Sequence, residues 1–213
     1  MGIKKTLASL LVGAASFGLS EKVSGQYPLR LYNADQGGAL NKITDYGDNC
    51  VLEETLVVGG TPQDVVINPW SGNPIVAHGA QNGRVVEYDK NNGQIVREYL
   101  VPDFVFGLAF SSQSGDLFVG SGLPDLPGEP GYGEVYRFDG QTGNSLGAFV
   151  DRQNSGVIDV PHDIEFGLDG NLYVLSPRTP VGIFKYDGDT GELIQPAPLI
   201  PVSGLPRWFT ITP

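Results

Sequence analysis

The feature that most constrains the fold is a repeat found three times in the chain. The copies read GRVVEYDKNNGQIVREYL, GEVYRFDGQTGNSLGAFV and VGIFKYDGDTGELIQPAPL. In each, an alternating strand ends in an aromatic residue and an Asp, and a Gly-terminated turn leads into a second strand. The three aspartates, Asp89, Asp139 and Asp187, lie 50 and 48 residues apart. Asp bonds the backbone of its own turn and Gly tolerates positive φ, so each copy predicts a β-hairpin.

A second hairpin signal precedes each copy, in PQDVVINPWSGNPIVAHG, VFGLAFSSQSGDLFVGSG and PHDIEFGLDGNLYVLSP. Each unit is therefore four short antiparallel strands, and one such sheet cannot bury both its faces unless neighbours stack on it. The period and the strand count predict an all-β fold, a β-propeller of four-stranded antiparallel blades. The content of 30 Gly and 16 Pro agrees with many turns and little helix.

The register predicts four blades closed by pairing of the N- and C-terminal strands. Residues 61–100, 101–151 and 158–200 each supply a full blade, whereas residues 27–60 supply only strands two to four. The missing inner strand matches residues 204–213, so the two ends are expected to share blade one. A truncated larger propeller and a ring completed by two copies are the alternatives, with a monomer expected.

The first 25 residues resemble a secretory signal peptide. Lys4 and Lys5 precede an apolar run over 7–19, which is too short to span a bilayer, and small residues offer cleavage after Gly25. A buried N-terminal helix is the alternative. We expect a secreted or periplasmic product with residues 26–213 as its propeller domain.

The net negative charge of the chain limits the classes of partner that it is expected to bind. The formal net charge of the chain is −11, and removal of the signal leaves 10 basic against 23 acidic residues. Such a charge argues against nucleic acid and anionic membranes as partners. Cys50 is the only cysteine; no internal disulfide is possible, and we expect a partly buried thiol in a turn.

Candidate site residues lie where the inner strand of each blade begins and where strand two turns into strand three. Both loops open on one end of the propeller, around the axial channel. Asp64 and Asp163 hold equivalent positions with Gly107 and Trp208, and are expected to face each other across the channel. Converging carboxylates favour a shared proton or a cation, so they are candidate ligands for Ca²⁺ or Mg²⁺; capping of the strand starts is the alternative.

The other candidate catalytic and ligand-binding residues are expected at the same end of the propeller. His78 and His162, the only histidines, are candidate catalytic residues, with a structural hydrogen-bonding role as the alternative. The candidate ligand-binding residues are Asp35, Gln63, Gln81, Phe106, Asp125, Glu129, Tyr132, Arg178, Arg207 and Trp208. Asp125, Glu129 and Tyr132 belong to an insertion, SGLPDLPGEPGYG, which forms a wall of the site or a tolerated surface loop. Trp70 falls at the opposite end and is expected to pack.

The stretches PHDIEFGLDGNLYVLS, FKYDGDTGEL and YRFDGQTG resemble NHL-type and streptogramin-lyase or gluconolactonase-like propellers of exported bacterial proteins. The resemblance covers residues 27–213 and implies the repeat rather than an activity, since one scaffold serves many functions. Such propellers commonly have six or seven blades, so a count of four departs from them. We expect a binding or scaffold module that recognises a protein, glycan or small molecule; a metal-dependent lactonase- or lyase-like enzyme is the alternative.

Overall fold

The computed structural model describes residues 29–35, 37–45, 50–57, 59–79, 83–122, 133–151, 158–177, 181–194, 198–201 and 209–211. These residues form four consecutive antiparallel sheets in which the spatial order of the strands follows the chain. The fold is all-β and of the propeller type, as the repeat predicted. How many blades complete the ring, and how the domain boundaries divide, stay predictions. Among the described residues there is no helix with the length and apolar character needed to cross a membrane.

The first sheet has three strands and the other three sheets have four each. The first contains β1 (Leu29–Asp35), β2 (Ala39–Asp45) and β3 (Cys50–Val57). The second contains β4 (Pro62–Ile67), β5 (Pro74–His78), β6 (Arg84–Tyr88) and β7 (Ile95–Leu100). The third contains β8 (Phe104–Phe110), β9 (Leu117–Gly122), β10 (Glu134–Phe138) and β11 (Ser145–Val150). The fourth contains β12 (Asp163–Phe166), β13 (Leu172–Ser176), β14 (Gly182–Tyr186) and β15 (Ile200–Pro201).

The repeated Asp and Gly close the hairpins as predicted. The N–H of Gly143 donates to the carbonyl of Asp139 at 2.7 Å, and Gly143 has φ of +73°. The Asp139 carboxylate accepts the backbone N–H and the hydroxyl of Thr142, which lowers the pKa of that carboxyl. Asp187 makes the same bonds with Thr190. Each turn is therefore closed by bonds among its own residues.

The core lies between the sheets. Three clusters of buried apolar side chains join the first sheet to the second, the second to the third, and the third to the fourth. Alternate residues of each central strand point to opposite faces, so one strand serves two clusters. Ile75 of β5 packs toward the third sheet, whereas Val76 packs toward the first. Stacking thus covers both faces of the second and third sheets, as the near-continuous apolar strands require.

The inner strands β4, β8 and β12 lie side by side, and Gly107 sets how closely the last two approach. A Cβ built on Gly107 would lie 2.9 Å from both the Cα of Asp163 and the N of Ile164. Those are backbone atoms, which cannot swing aside as a flexible side chain does. Gly107 is therefore the residue that permits the third and fourth sheets to meet at the axis.

Two strand predictions were wrong in detail. The last strand of the fourth sheet was expected directly after the turn at Asp187; among the described residues there, Leu193 forms a bridge with Tyr186 and the assigned strand β15 begins at Ile200. Pro196 and Pro198 fall in that interval, and proline has no N–H to donate to a ladder. Cys50, expected in a turn, is the first residue of β3, where it pairs with Asp45.

The close approach at Gly107 can be tested by substitution. Gly107→Ala is expected to lower the free energy of unfolding by about 1–3 kcal/mol, because the new methyl group forces two backbones apart. The control is Gly79→Ala, whose Cβ would have its three nearest contacts with the flexible side chain of Gln63, and its loss of unfolding free energy should be smaller. Urea titration of both variants measures the difference, and equal losses would contradict the role given to Gly107.

Candidate functional site

The candidate site lies at the mouth end, defined here as the end of the sheets where β4, β8 and β12 begin and β5 and β13 finish. Pro62 pairs with His78, and Asp163 pairs with Leu175, so the starts of the inner strands adjoin the ends of the second strands. The antiparallel pairing thereby gathers the predicted candidates of the second, third and fourth sheets at one end. The loops that continue from β5 and β13 lie outside the described residues.

Asp64 links the second sheet to the third. One carboxylate oxygen accepts the backbone N–H of Val65 at 2.7 Å, and the other accepts the N–H of Leu108 in β8 at 2.8 Å. A carboxylate that accepts two N–H groups satisfies donors which the start of an inner strand would otherwise leave unpaired. The capping role named as the alternative for Asp64 is therefore what its contacts show.

Asp163 makes the equivalent link from the fourth sheet to residues near the end of the chain. Its carboxylate accepts the N–H of Phe209 at 2.8 Å, as Asp64 accepts that of Leu108. Asp163 is 8% exposed. Burial, followed by repulsion from the charge of Asp64, raises the pKa of Asp163 to about 8. The charge of Asp64 thus reaches Asp163, while each carboxyl group accepts a backbone N–H from a neighbouring segment; that the two face each other and share a proton or a cation stays a prediction.

Glu165 was missed by the sequence reasoning and belongs to the same group. It lies two residues after Asp163 in β12, on the same side of the strand, and accepts the N–H of Ile211 at 2.9 Å. Burial raises the pKa of Glu165, against the hydrogen bonds from Ile211 and from the side chain of Thr210. The sequence signal that could have identified Glu165 is its position two residues after Asp163, in a type of strand that is otherwise apolar.

Phe106 and His162 are brought together by adjacent sheets. Their ring centroids are 5.3 Å apart and the ring planes are inclined by 31°. His162 is anchored through its backbone N–H, which donates to the carbonyl of Leu175 at 2.9 Å. Both side chains are half-buried, so the pair keeps part of its surface in solvent. Gln63 holds the matching position in the second sheet, with its amide 3.3 Å from the carbonyl of Thr61.

His78 is buried and hydrogen-bonded between elements of the fold, and its candidate catalytic role stays a prediction. The side chain is 3% exposed, and Nε2 lies 3.1 Å from the hydroxyl of Tyr88. Burial, followed by the positive charge of Arg84, lowers the pKa of His78, whereas a hydrogen bond with the backbone of Gly59 raises it. The imidazole thus holds the linker between the first and second sheets against β6. Of the two histidines, only His162 meets solvent at the mouth end.

The remaining predicted binding residues are not brought to the site by the described structure. Asp35 ends β1, and nothing is described of its side chain. The others lie outside the described residues: Gln81, Asp125, Glu129, Tyr132, Arg178, Arg207 and Trp208. Their roles stay predictions.

The fit of a metal ion to Asp64 and Asp163 is poor. Each carboxyl group accepts backbone N–H groups from two segments, which leaves fewer oxygen lone pairs for a cation. Within the ranges that the structure describes, no cluster of three or more His, Cys, Asp or Glu residues could hold a metal ion. No chemical step is therefore assigned to Ca²⁺ or Mg²⁺ here.

The opposite end of the sheets carries a polar network that serves packing. Glu87 is 1% exposed and its carboxylate accepts hydrogen bonds from the side chains of Asn68, Ser71, Asn73 and Tyr99. Nearby, the indole N–H of Trp70 donates to the carbonyl of Gly115 in the third sheet at 3.0 Å. Trp70 therefore contacts the third sheet, although much of its ring is exposed; its packing role stays a prediction.

The raised pKa of Asp163 gives a pH dependence with a definite sign. Between its ordinary pKa near 4 and its folded pKa of about 8, the folded chain keeps a proton that the unfolded chain releases. Stability from this group is therefore lost as the pH rises through that window, at no more than about 1.4 kcal/mol per pH unit. Asp163→Asn, which stays neutral, is expected to remove that slope.

The measurement is urea unfolding of the parent and the Asp163→Asn variant from pH 4 to pH 9. Asp169→Asn is the control, because hydrogen bonding to Lys185 holds the pKa of Asp169 well below its usual range. A parent and an Asp163→Asn variant with parallel stability profiles would contradict the assignment.

Comparison with known proteins gives similarity in structure alone. Neither a protein-family profile nor a curated protein sequence matches the chain. A gluconolactonase from Xanthomonas campestris is 18% identical, with a TM-score of 0.58 over 83% of this chain and 60% of its own. The hydrazine synthase of Kuenenia stuttgartiensis is 14% identical, with a TM-score of 0.61 over 84% of this chain and 52% of its own. The chain thus spans a little over half the length of these structures, which support a propeller fold and no particular repeat type.

Proposed function

We propose that the protein is an exported β-propeller binding module that captures its ligand at the mouth end. The observation that carries the proposal is the half-buried pair of Phe106 and His162. An aromatic ring and an imidazole fixed at the start of adjacent inner strands offer apolar faces for stacking and a ring nitrogen for hydrogen bonding. The ligand is a protein, a glycan or a small molecule.

The positions of the acidic residues support binding over catalysis. The carboxylates of Asp64, Asp163 and Glu165 hold backbone N–H groups of the neighbouring segments. Freeing one of them to act on a substrate would leave a buried donor unpaired, which costs about 1–3 kcal/mol. The ring pair of Phe106 and His162 is partly exposed, so recognition through it leaves the hydrogen bonds of the three carboxylates in place.

Export is part of the proposal and is supported by the N-terminal sequence. The basic start, the apolar run and the small residues before position 26 form the pattern of a cleaved signal. A strongly acidic surface after cleavage keeps such a module soluble and favours neutral or basic partners.

The binding proposal is tested by presenting the purified protein to arrays of glycans, peptides and small metabolites. We expect a ligand that the parent retains and that Phe106→Ala with His162→Ala binds at least about tenfold more weakly, through loss of the stacking surface. Gln113→Ala, in the turn at the opposite end, is the control and should bind like the parent. Ligands that the double variant holds as tightly as the parent would place recognition elsewhere and overturn the assignment.

A metal-dependent lactonase- or lyase-like activity is the second candidate. It is favoured by the mutual influence of Asp64 and Asp163 and by structural similarity to a protein described as a gluconolactonase. At 18% identity that similarity supports the fold alone, so the activity has to be measured on this chain.

The enzyme candidate is tested by thermal unfolding and δ-gluconolactone hydrolysis with and without Ca²⁺ or Mg²⁺. Because backbone donors occupy the carboxylates, we expect neither a rise in Tm nor turnover above background. Turnover that requires the metal, together with a metal-dependent rise in Tm that Asp64→Asn plus Asp163→Asn abolishes, would favour the enzyme over the binding module.

A further inference from the structure

Trp70 is held in place at the end of the sheets opposite the mouth end. Its indole Nε1–H donates to the carbonyl of Gly115 at 3.0 Å, and its backbone N–H donates to Oδ1 of Asn68 at 2.9 Å. Asn68 is 2% exposed, and its Nδ2 donates to Oε1 of Glu87 and to the carbonyl of Gly140. The turn that carries the indole is therefore tied by hydrogen bonds to both the second and the third sheets.

Two glycines of the third sheet leave the space that one edge of the indole occupies. A Cβ built on Gly115 would lie 2.7 Å from Cζ2 of Trp70, and one built on Gly140 would lie 2.9 Å from its Nε1. Both distances are too short for a carbon atom, so a side chain at either glycine would displace the ring. The atoms in contact, like the hydrogen-bonded Nε1, belong to a single edge of the indole.

More than half of the surface of Trp70 stays open to solvent, since the residue is 55% exposed. Because the contacts lie along one edge, the exposed surface includes the face of the ring. An exposed apolar side chain is ordinary by itself. An exposed ring whose position is already fixed, however, loses little conformational freedom when a ligand stacks on it. Trp70 thus combines the two properties of an aromatic binding platform.

The polar groups beside the indole indicate the kind of ligand that fits there. Exposed hydroxyl and amide side chains adjoin Trp70 and the two glycines in the sequence: Ser71, Ser114 and Gln141. The charged neighbours are already engaged, because Asp116 forms an ion pair with Arg137 and Asp139 accepts hydrogen bonds from its own turn. Lys90 donates to the carbonyl of Ser71. Such surroundings suit a neutral, hydroxyl-rich ligand better than an ion.

We propose that Trp70 is a stacking platform for a neutral, β-linked glycan, at a site separate from the mouth end. A pyranose with equatorial hydroxyls, such as β-glucose, directs C–H bonds outward from both faces of its ring. Those C–H groups carry partial positive charge, which matches the partial negative charge on the face of the indole. The hydroxyls at the rim of the sugar are partners for the polar side chains beside Trp70. The net charge of −11 disfavours acidic polysaccharides.

This site and the mouth end can be tested separately. A glycan that Phe106→Ala with His162→Ala still binds, and that Trp70→Ala binds weakly, belongs to the platform. A ligand that only the double variant loses belongs to the mouth end. Either proposal can therefore fail while the other stands.

The experiment titrates the purified, isotopically labelled protein with cellohexaose and with chitohexaose. The indole N–H signal of Trp70, identified by its absence from Trp70→Phe, is expected to shift with at least one probe. The titration reaches about 10 mM, which would fill most of a site with a Kd of about 1 mM. Judged by the amide signals of Gly115 and Gly140, Trp70→Ala should bind at least about tenfold more weakly than the parent, because the stacking surface is gone. Trp70→Phe keeps a ring without the anchoring N–H, so its affinity should lie between the two.

Leu168→Ala is the matched control. Leu168 is 82% exposed and belongs to the corresponding turn of the fourth sheet, so this variant should bind the sugars like the parent. A loss equal to that of Trp70→Ala would indicate general apolar adhesion at this end and would overturn the proposal. So would sugar binding that Trp70→Ala retains in full, since the ligand would then lie beside the ring rather than on it.

The parent protein alone decides the outcome if Trp70→Ala does not fold. An indole signal of Trp70 that neither sugar moves over the whole titration overturns the proposal. A hexalysine peptide tests the rival chemistry, a cation over the ring. An indole signal that moves with this peptide and with neither sugar would make Trp70 a cation site, and the glycan assignment would be wrong.

Discussion

The hydrogen bond from the backbone N–H of one inner strand to a carboxylate of the preceding sheet is the contact on which the mouth end depends. Asp64 and Leu108 make it between the second and third sheets, and Asp163 and Phe209 repeat it beside the fourth. The bond is charge-assisted when the acid is ionised, and it binds a side chain to a backbone rather than to another side chain. The bond therefore sets how one sheet is aligned along the strand direction of the next, as well as holding the two sheets together.

Between those two sites the third sheet uses glycine in place of an acid. Gly107 has no side chain to offer as an acceptor, and the backbone of β12 approaches where a Cβ would stand. The chain thus uses two solutions at equivalent positions, a long-range hydrogen bond and direct backbone contact. This alternation places Asp64 and Asp163 on either side of β8, and there the charge of Asp64 helps to raise the pKa of Asp163.

These commitments shape what the mouth end can do. Acids that hold backbone donors are poor candidates for chemistry, whereas Phe106 and His162 project beside them as a partly exposed ring pair. His78, the other histidine, contacts the Tyr88 hydroxyl through Nε2 and forms a hydrogen bond with the backbone of Gly59 where the first and second sheets meet.

The sequence by itself determined the sheets, because a hairpin is a local object. The turns at Asp139 and Asp187 close with bonds that span three or four residues, and alternation along each strand is a property of neighbouring positions. Only the tertiary structure decided which side chains make contacts between sheets. Asp64 and Leu108 are 44 residues apart in the sequence, and Asp163 and Phe209 are 46 apart. No local pattern therefore shows that these acids accept backbone N–H groups or that Glu165 does the same. Nor does a local pattern show that His78 is buried while His162 is partly exposed. The hydrogen bonds and the burial of these side chains depend on which residues of the adjacent sheet they contact, and the packing of the sheets against one another determines those contacts.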